Sequence, residues 1–404
     1  MRILVLNHNL RERGTWFRAR EVARGLHARG HDVTFVYTGE GWYRPRRDAP
    51  EDRWTEFGTP SWTPLRDAGE GYSPLGLLHR AFALRGRFDL VYTFSHLPVD
   101  QATARLLARR CGFWMTDWCD LWNSRRGGLL DLSHWPRPIP ARMRGVVGGL
   151  RRASFRIDDA LESSAARSAD SVSIIATPMR AYTRKLGIPD SRVLHLVSGA
   201  DIERIRPLDR DACRRELDLP ADRLILGYVA NVTPDNEQLE GALRIVWKER
   251  PDLLVASVGP RWYADRGPIA RAVREGRLID RDRQPFAEIP RYLGAADFVV
   301  MPLRDLPFNR CRWPNKFGDY MAAGRATATC AVGDMARVCR RGNAGVAGPP
   351  TAQGLASAIL ELVNDSDRRA QCGVDARRHA ETHLSWPGRI ESLAAFLARQ
   401  GVVV

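Results

Sequence analysis

Several things are scarce in this 404-residue sequence, and each scarcity removes a class of protein. No uninterrupted apolar run reaches the roughly 18 residues a membrane-spanning helix needs, so no such helix is expected. Lysine is nearly missing: almost all of the 62 Lys and Arg are arginine. The seven cysteines, at 111, 119, 213, 311, 330, 339 and 372, never fall in CxxC spacing, and no histidine cluster joins them. A zinc module or a disulfide framework is therefore not expected. The opening MRILVLNH has no basic region followed by a long apolar stretch and reads as a strand. With the scattered thiols, this points to a cytoplasmic protein without a secretory leader. There is no RRM-like aromatic motif and no basic heptad run, so nucleic acid is not an expected partner despite a formal charge of +15. Fixed-period repeats and low-complexity tracts are also lacking.

What is present is the composition of a globular protein, 44% hydrophobic and 27% charged. At roughly 100–200 residues per domain, the length implies at least two. RILVL at 2–6 reads as a buried strand, and Trp16, Ala19, Val22, Ala23 and Leu26 recur at helical spacing. DVTFVY at 32–37 follows Gly30 as the next strand, a βαβ opening that predicts a parallel sheet. Residues 40–75, rich in Trp, Pro and Gly, read as a long excursion. The pattern then resumes with a helix near 76–85, strands at 89–94, 112–116, 171–176 and 192–197, and helices at 98–110 and 150–166. A second α/β unit begins with LILGYVA at 224–230, followed by a helix near 235–248 and strands at 253–259, 298–303 and 326–330. Helices are expected at 315–323, 353–363 and 389–399. The fold class is thus α/β, with two Rossmann-like parallel-sheet domains, 1–198 and 199–388, facing a central cleft. The helix at 389–399 could pack on its own domain or cross back to the first.

Ligands of such sheets bind beyond the carboxyl ends of the strands, so polar residues in those loops are the site candidates. In the first half, Gly14 and Thr15 open a helix whose N–H groups could face an anion. His96 follows the 89–94 strand. Asp117 and Asp120 alternate with Trp118 and Trp122 in TDWCDLW, a set suited to a polyhydroxylated acceptor: carboxylates accept hydroxyl hydrogen bonds and indoles cover apolar ring faces. In the second half, FNRCRWPNKFGDYMAAGRATATC at 308–330 brings Arg310, Arg312 and Lys316 to a helix start, with Asp319 one turn on. Cations and free N–H groups there suit a diphosphate, and a carboxylate suits ribose hydroxyls. A surface ion-pair network would use the same residue types. Arg137, Arg142, Arg144, Arg151, Arg152 and Arg156, with no acid among 137–156, fit either a solvated helix face or a basic amphipathic segment in peripheral contact with the inner face of a membrane.

Four segments carry a resemblance: RGTWFRAREVARGLHARGHDVTFV at 13–36, SGADIERIRPL at 198–208, IPRYLGAADFVVMPL at 289–303 and WPNKFGDYMAAGRATATC at 313–330. In this order they resemble retaining glycosyltransferases of the GT-B architecture, in the large family-four group of bacterial transferases. The resemblance implies a nucleotide-sugar co-substrate, a UDP-sugar before a GDP-sugar, with no tightly bound cofactor and no required metal. It implies acceptor binding by the first domain and donor binding by the second. The donor set would be Gly14, Thr15, Arg261, Arg310, Arg312, Asn315, Lys316 and Asp319, with Asp117, Trp118 and Asp120 on the acceptor and Asp117, His96 and Lys316 at the reaction centre. The acceptor would be a small molecule or a glycan, in natural-product or cell-surface glycan biosynthesis.

Two departures from the family pattern stand out. Asp319 occupies the place of the second glutamate of the family's paired-acid motif, and Cys311 stands eight residues earlier, where the first belongs. The loop after LILGYVA reads NVTPDNEQLE, without the arginine and lysine that the family directs at the leaving diphosphate. Arg261, Arg310, Arg312 or Lys316 is expected to supply that charge. An inactive GT-B relative, a nucleotide-sugar epimerase and a basic nucleic-acid- or membrane-interaction protein are the alternatives.

Overall fold

The computed structural model describes residues 1–39, 53–61, 70–107, 110–122, 127–129, 145–230 and 233–404, and for 70 and 145–155 the backbone alone. The chain divides into two units. The first comprises Met1–Val197 and Trp386–Val404, the second Ser198–Ser385.

The first unit is built on a seven-stranded parallel sheet. Its strands are β1 (Arg2–Leu10), β2 (Asp32–Gly39), β3 (Trp54–Pro60), β4 (Phe88–Thr93), β5 (Cys111–Trp118), β6 (Ser171–Ile174) and β7 (Val193–His195), in the order β3-β2-β1-β4-β5-β6-β7. Ile3, Leu4, Val5 and Leu6 of β1 are all fully buried, as expected of a central strand covered on both faces. The helix Trp16–Ala28 covers one face through Trp16, Ala19, Val22 and Leu26. The helix Trp386–Arg399 joins the same core through Ile390, Leu393 and Leu397. The two helices approach so closely that a Cβ on Gly25 would lie 2.2 Å from Ile390, so the position admits no side chain.

The second unit holds a six-stranded parallel sheet of β8 (Ile225–Val229), β9 (Leu254–Val258), β10 (Leu278–Arg281), β11 (Phe298–Met301), β12 (Thr327–Cys330) and β13 (Gly345–Gly348), in the order β10-β9-β8-β11-β12-β13. Strand order therefore reverses beside β1 and β4 in the first unit and beside β8 and β11 in the second. These switch points are where such sheets hold ligands.

The sequence-based expectations need correcting in three places. The excursion at 40–75 is not all loop: β3 lies within it, in register with β2 from Val33 opposite Trp54 to Gly39 opposite Pro60. Its alternation is legible afterwards, with Thr55, Phe57 and Thr59 buried and Trp54 and Glu56 half-buried. β10 and β13 are additional four-residue strands, too short to show periodicity. A hydrophilic helix, Ser366–His379, was also not anticipated. Arg137, Arg142, Arg144 and most of the excursion at 40–75 lie outside the described residues. Arg156 is exposed on the helix Gly145–Ser168. No described helix is long and apolar enough to cross a membrane.

Candidate functional site

At the switch point of the second unit, the peptide at the end of β8 is gripped by one helix. Val229 N–H donates to the Tyr320 hydroxyl at 3.0 Å, and the Lys316 ammonium donates to the Val229 carbonyl at 2.8 Å. Both side chains come from the helix Asn315–Ala322, four residues apart and so on one face. Lys316 Nζ also lies 5.5 Å from the centroid of the Tyr228 ring. Burial and the neighbouring Arg312 lower the Lys316 pKa to about 8, against the opposing pull of Asp235.

Asp235 organises the rest. It precedes the helix Asn236–Glu249 and accepts from Arg304 N–H at 2.9 Å, Asn309 Nδ2 at 2.7 Å and Arg312 Nη2 at 2.9 Å. Arg312 is thereby fixed by one end of its guanidinium. Its Nε–H is buried with no partner among the described residues. An unmet buried donor on a guanidinium is costly unless something occupies it, by about 1–3 kcal/mol. The structure thus joins Lys316 and Arg312, as the sequence suggested, around a carboxylate that sequence reasoning passed over.

The remaining candidates of this half are placed differently. Arg310 is exposed and clamps Asp305 through two hydrogen bonds of 2.5 and 2.6 Å. Arg261 pairs with Asp265 at 2.9 Å and stacks over Tyr263. Asn315 is the exposed first residue of the Lys316 helix. Asp319 is half-buried, and desolvation, then the nearby Asp201, raise its pKa to about 7. Asp201 belongs to the SGADIERIRPL segment, so two of the family-like segments meet here. Cys311 is fully buried, so the first motif position holds an interior thiol where a carboxylate would be costly to bury. A hollow of about 440 Å³ opens at this end of the sheet, lined by Glu237, Gln238, Arg304, Asp305, Leu306 and Pro350–Ala352.

The first unit treats its candidates as interior groups. Asp117, expected to face an acceptor, is fully buried and receives Arg18 Nε at 3.0 Å and Nη2 at 2.9 Å, with Ser173 and Tyr92 beside it. It holds the sheet to the helix Trp16–Ala28 and is not presented to a ligand. Trp118 is buried too, and its indole N–H donates to Glu162 at 2.8 Å, so it offers no open ring face. Arg18 is closed onto the Asp117 carboxylate and the Leu196 carbonyl. Thr15 and Gly14 close a turn onto Asn9: Thr15 N–H and hydroxyl both donate to Asn9 Oδ1, at 3.0 and 2.6 Å. Gly14 has φ +53°, and a Cβ there would press to 3.0 Å from the Asn9 amide. The turn itself requires this glycine.

His96 and Asp120 line a narrow pocket with His8, Ser95 and Trp122. Its open volume is about 10 Å³, room for one water at most. Burial lowers both imidazoles to about 3, with Arg80 adding to the effect on His8 and His8 to that on His96. Both rings are neutral at pH 7, and His96 Nε2 and His8 Nδ1 are buried without a partner among the described residues. No group of three or more His, Cys, Asp or Glu is arranged to hold a metal among the described residues.

Comparison with known proteins follows the division into units. Residues 13–200 match the glycosyl transferase 4-like domain, and residues 224–365 match the glycosyl transferases group 1. The chain is 30% identical over 223 residues to a D-inositol 3-phosphate glycosyltransferase of Thermobispora bispora, a match spanning 51% of this chain and half the length of that relative. Among solved structures, the sucrose-phosphate synthase of Thermosynechococcus elongatus superposes with a TM-score of 0.72 at 16% identity, over 99% of this chain and 98% of that one. Anabaena HepE, solved with UDP and glucose, superposes with a TM-score of 0.69 at 17% identity, over 98% of this chain and 99% of that one.

Proposed function

We propose, from the premise that the chain is a GT-B-fold glycosyltransferase related to the glycosyl transferase 4-like family, that it moves a sugar from a nucleotide diphosphate to an acceptor hydroxyl. The observation that carries this is the Lys316–Arg312 pair at the end of β8. The family directs two cations at the leaving diphosphate from the loop after this strand, and 233–240 of that loop contains none. Lys316 reaches the same strand end from a different helix, and Arg312 keeps an unmet N–H beside it. The lost cations are thus replaced in space, not in sequence.

In this reading, negative charge grows on the departing diphosphate as the sugar–phosphate bond breaks, and fixed donors stabilise it. Lys316 and Arg312 are those donors. Asp319 accepts from the nucleotide ribose. The acceptor hydroxyl then bonds the anomeric carbon on the face the diphosphate leaves, and the leaving phosphate oxygen takes its proton. This gives retention without a protein nucleophile. UDP is the favoured nucleotide, a choice supported by the UDP-bound structural relative. The first unit is assigned the acceptor, with the half-exposed Asp120 accepting from its hydroxyls. The D-inositol 3-phosphate glycosyltransferase relative supports a polyhydroxylated acceptor. The seven free cysteines suit a reducing, cytoplasmic setting.

Lys316→Ala tests the reading. UDP titrated into the purified variant should bind roughly 30-fold more weakly or worse, as loss of a charge-assisted hydrogen bond implies. Wild-type affinity in that variant would refute the assignment. A second reading, donor binding without efficient transfer, is favoured by the buried Cys311 in place of a motif glutamate. UDP affinity with no transfer from UDP-sugars to any acceptor, cyclitols and glycans included, would select it.

A further inference from the structure

The second unit carries another concentration of positive charge, away from Lys316. Arg244, Trp247 and Lys248 lie in the last turns of the helix Asn236–Glu249, Arg271 and Arg274 on the helix Pro268–Arg274, and Arg277 immediately before β10. Together they enclose a hollow of about 460 Å³ whose lining includes five cations and no acid. The floor is fixed: Trp247 donates its indole N–H to the Leu253 carbonyl at 3.0 Å, and the Arg277 guanidinium lies 5.0 Å from the Trp247 ring centroid, held by Glu275 at 3.0 Å. Arg244, Lys248, Arg271 and Arg274 are exposed and have no carboxylate partner among the described residues.

Several other arginines of this unit are paired with carboxylates. Arg250 pairs with Asp252 at 2.8 Å, Arg368 with Glu361 at 2.8 Å, and Arg291 with Glu288. In the hollow, Arg244 and Lys248 are four apart on one helix and Arg271 and Arg274 three apart on another, spacings at which like charges repel. Four unpaired cations converging on one concavity leave a strong positive potential that a multivalent anion would neutralise.

We propose that this hollow binds an anion bearing two or more phosphate groups, at a site distinct from the donor's. Arginines around a concavity match phosphate oxygens in fork geometry. Trp247 is covered by Arg277, so no open ring is offered for stacking a nucleobase, and the lining presents no large exposed apolar side chain for insertion into a bilayer. The position is also separate. Helices of a parallel sheet run back against the strands, so the end of Asn236–Glu249 and the residue before β10 lie at the amino ends of the strands. Lys316 lies at the carboxyl end of β8. The occupant and the donor therefore do not compete.

The test uses the full chain saturated with UDP and titrated calorimetrically with tripolyphosphate. Binding should persist under saturating UDP and weaken as salt rises from about 50 to 200 mM. In Arg271→Glu/Arg274→Glu it should fall by roughly tenfold or more, with UDP affinity unchanged. Arg244→Gln/Lys248→Gln, on the other helix, should give a smaller loss in the same direction and guards against a folding defect in the first variant. A parallel arm sediments the protein with vesicles containing cardiolipin, whose headgroup carries two phosphates, and with phosphatidylcholine vesicles. Variant-sensitive capture by the anionic vesicles without tripolyphosphate binding assigns the phosphates to a lipid headgroup, and the reverse assigns them to a soluble ligand. If saturating UDP abolishes all tripolyphosphate binding and no vesicle is captured, or if both double variants bind like wild type, the proposal fails. Should the wild type bind no UDP at all, variant-sensitive tripolyphosphate binding would still stand, so this proposal and the donor assignment fail separately.

Discussion

The two units share a topology and place charged residues at corresponding switch points, yet they treat those charges in opposite ways. In the first, Arg18 is closed onto Asp117 and Arg80 onto Asp100, all fully buried, and His8 and His96 are held neutral. In the second, Lys316 rests on a backbone carbonyl, Arg312 keeps an open N–H, and Asp319 titrates near neutrality. A charge closed into a pair fixes a fold. A charge left partly unmet can answer a ligand. The residue types alone do not separate these uses; the partner does.

The largest expected effect is on the closed side. Asp117→Ala leaves the buried Arg18 charge without its carboxylate and should destabilise the protein by about 3–5 kcal/mol in chemical denaturation. UDP affinity of the folded fraction should be unchanged. A loss of affinity with little loss of stability would reverse the assignment. On the open side, Lys316→Ala should weaken UDP binding by about 2–3 kcal/mol with a melting temperature near wild type, the mirror image of the first result. Arg312→Gln should cost roughly tenfold in UDP affinity, since Asp235 retains Asn309 and the Arg304 N–H.

Smaller still is the effect of pH. Lys316, lowered to about 8, loses its charge as pH rises through 8, and Asp319, raised to about 7, loses its charge as pH falls through 7. UDP affinity should therefore peak between about 7 and 8 and decline on both sides. Asp319→Asn should move the acid limb below pH 7, leaving only the decline caused by protonation of the UDP terminal phosphate at about pH 6. The imidazoles of the first unit, neutral well above 3, should add no inflection near pH 6.5, and one that vanished in His96→Asn would contradict their burial.

Much of the fold was legible because central parallel strands are continuous apolar runs: RILVL, LILGYVA and FVVMPL could be placed from their residues alone. The edge strand Trp54–Pro60 was not, because its alternation is brief and its surroundings rich in Gly and Pro. The site was legible only in part. Lys316 and Arg312 stand in one segment with a helix start, a local pattern. Asp235 lies 77 residues from Arg312, and Arg18 lies 99 from Asp117. Pairings over such separations are made by the sheet, and no local spacing announces them. Asp117 and Asp120 read alike in TDWCDLW, yet strand register buries the first and leaves the second half-exposed at the end of β5.

The scarcity of lysine offers the most direct test of the central claim, that an ammonium at the end of β8 awaits the diphosphate. With Lys185, Lys248 and Lys316 as the lysines, isotopic dimethylation gives few lysine signals to follow by NMR against pH. The signal missing from Lys316→Gln should titrate near pH 8 and move to higher pH when UDP is added, because the bound anion favours the charged form. A Lys316 signal whose midpoint is the same with and without saturating UDP would contradict the account.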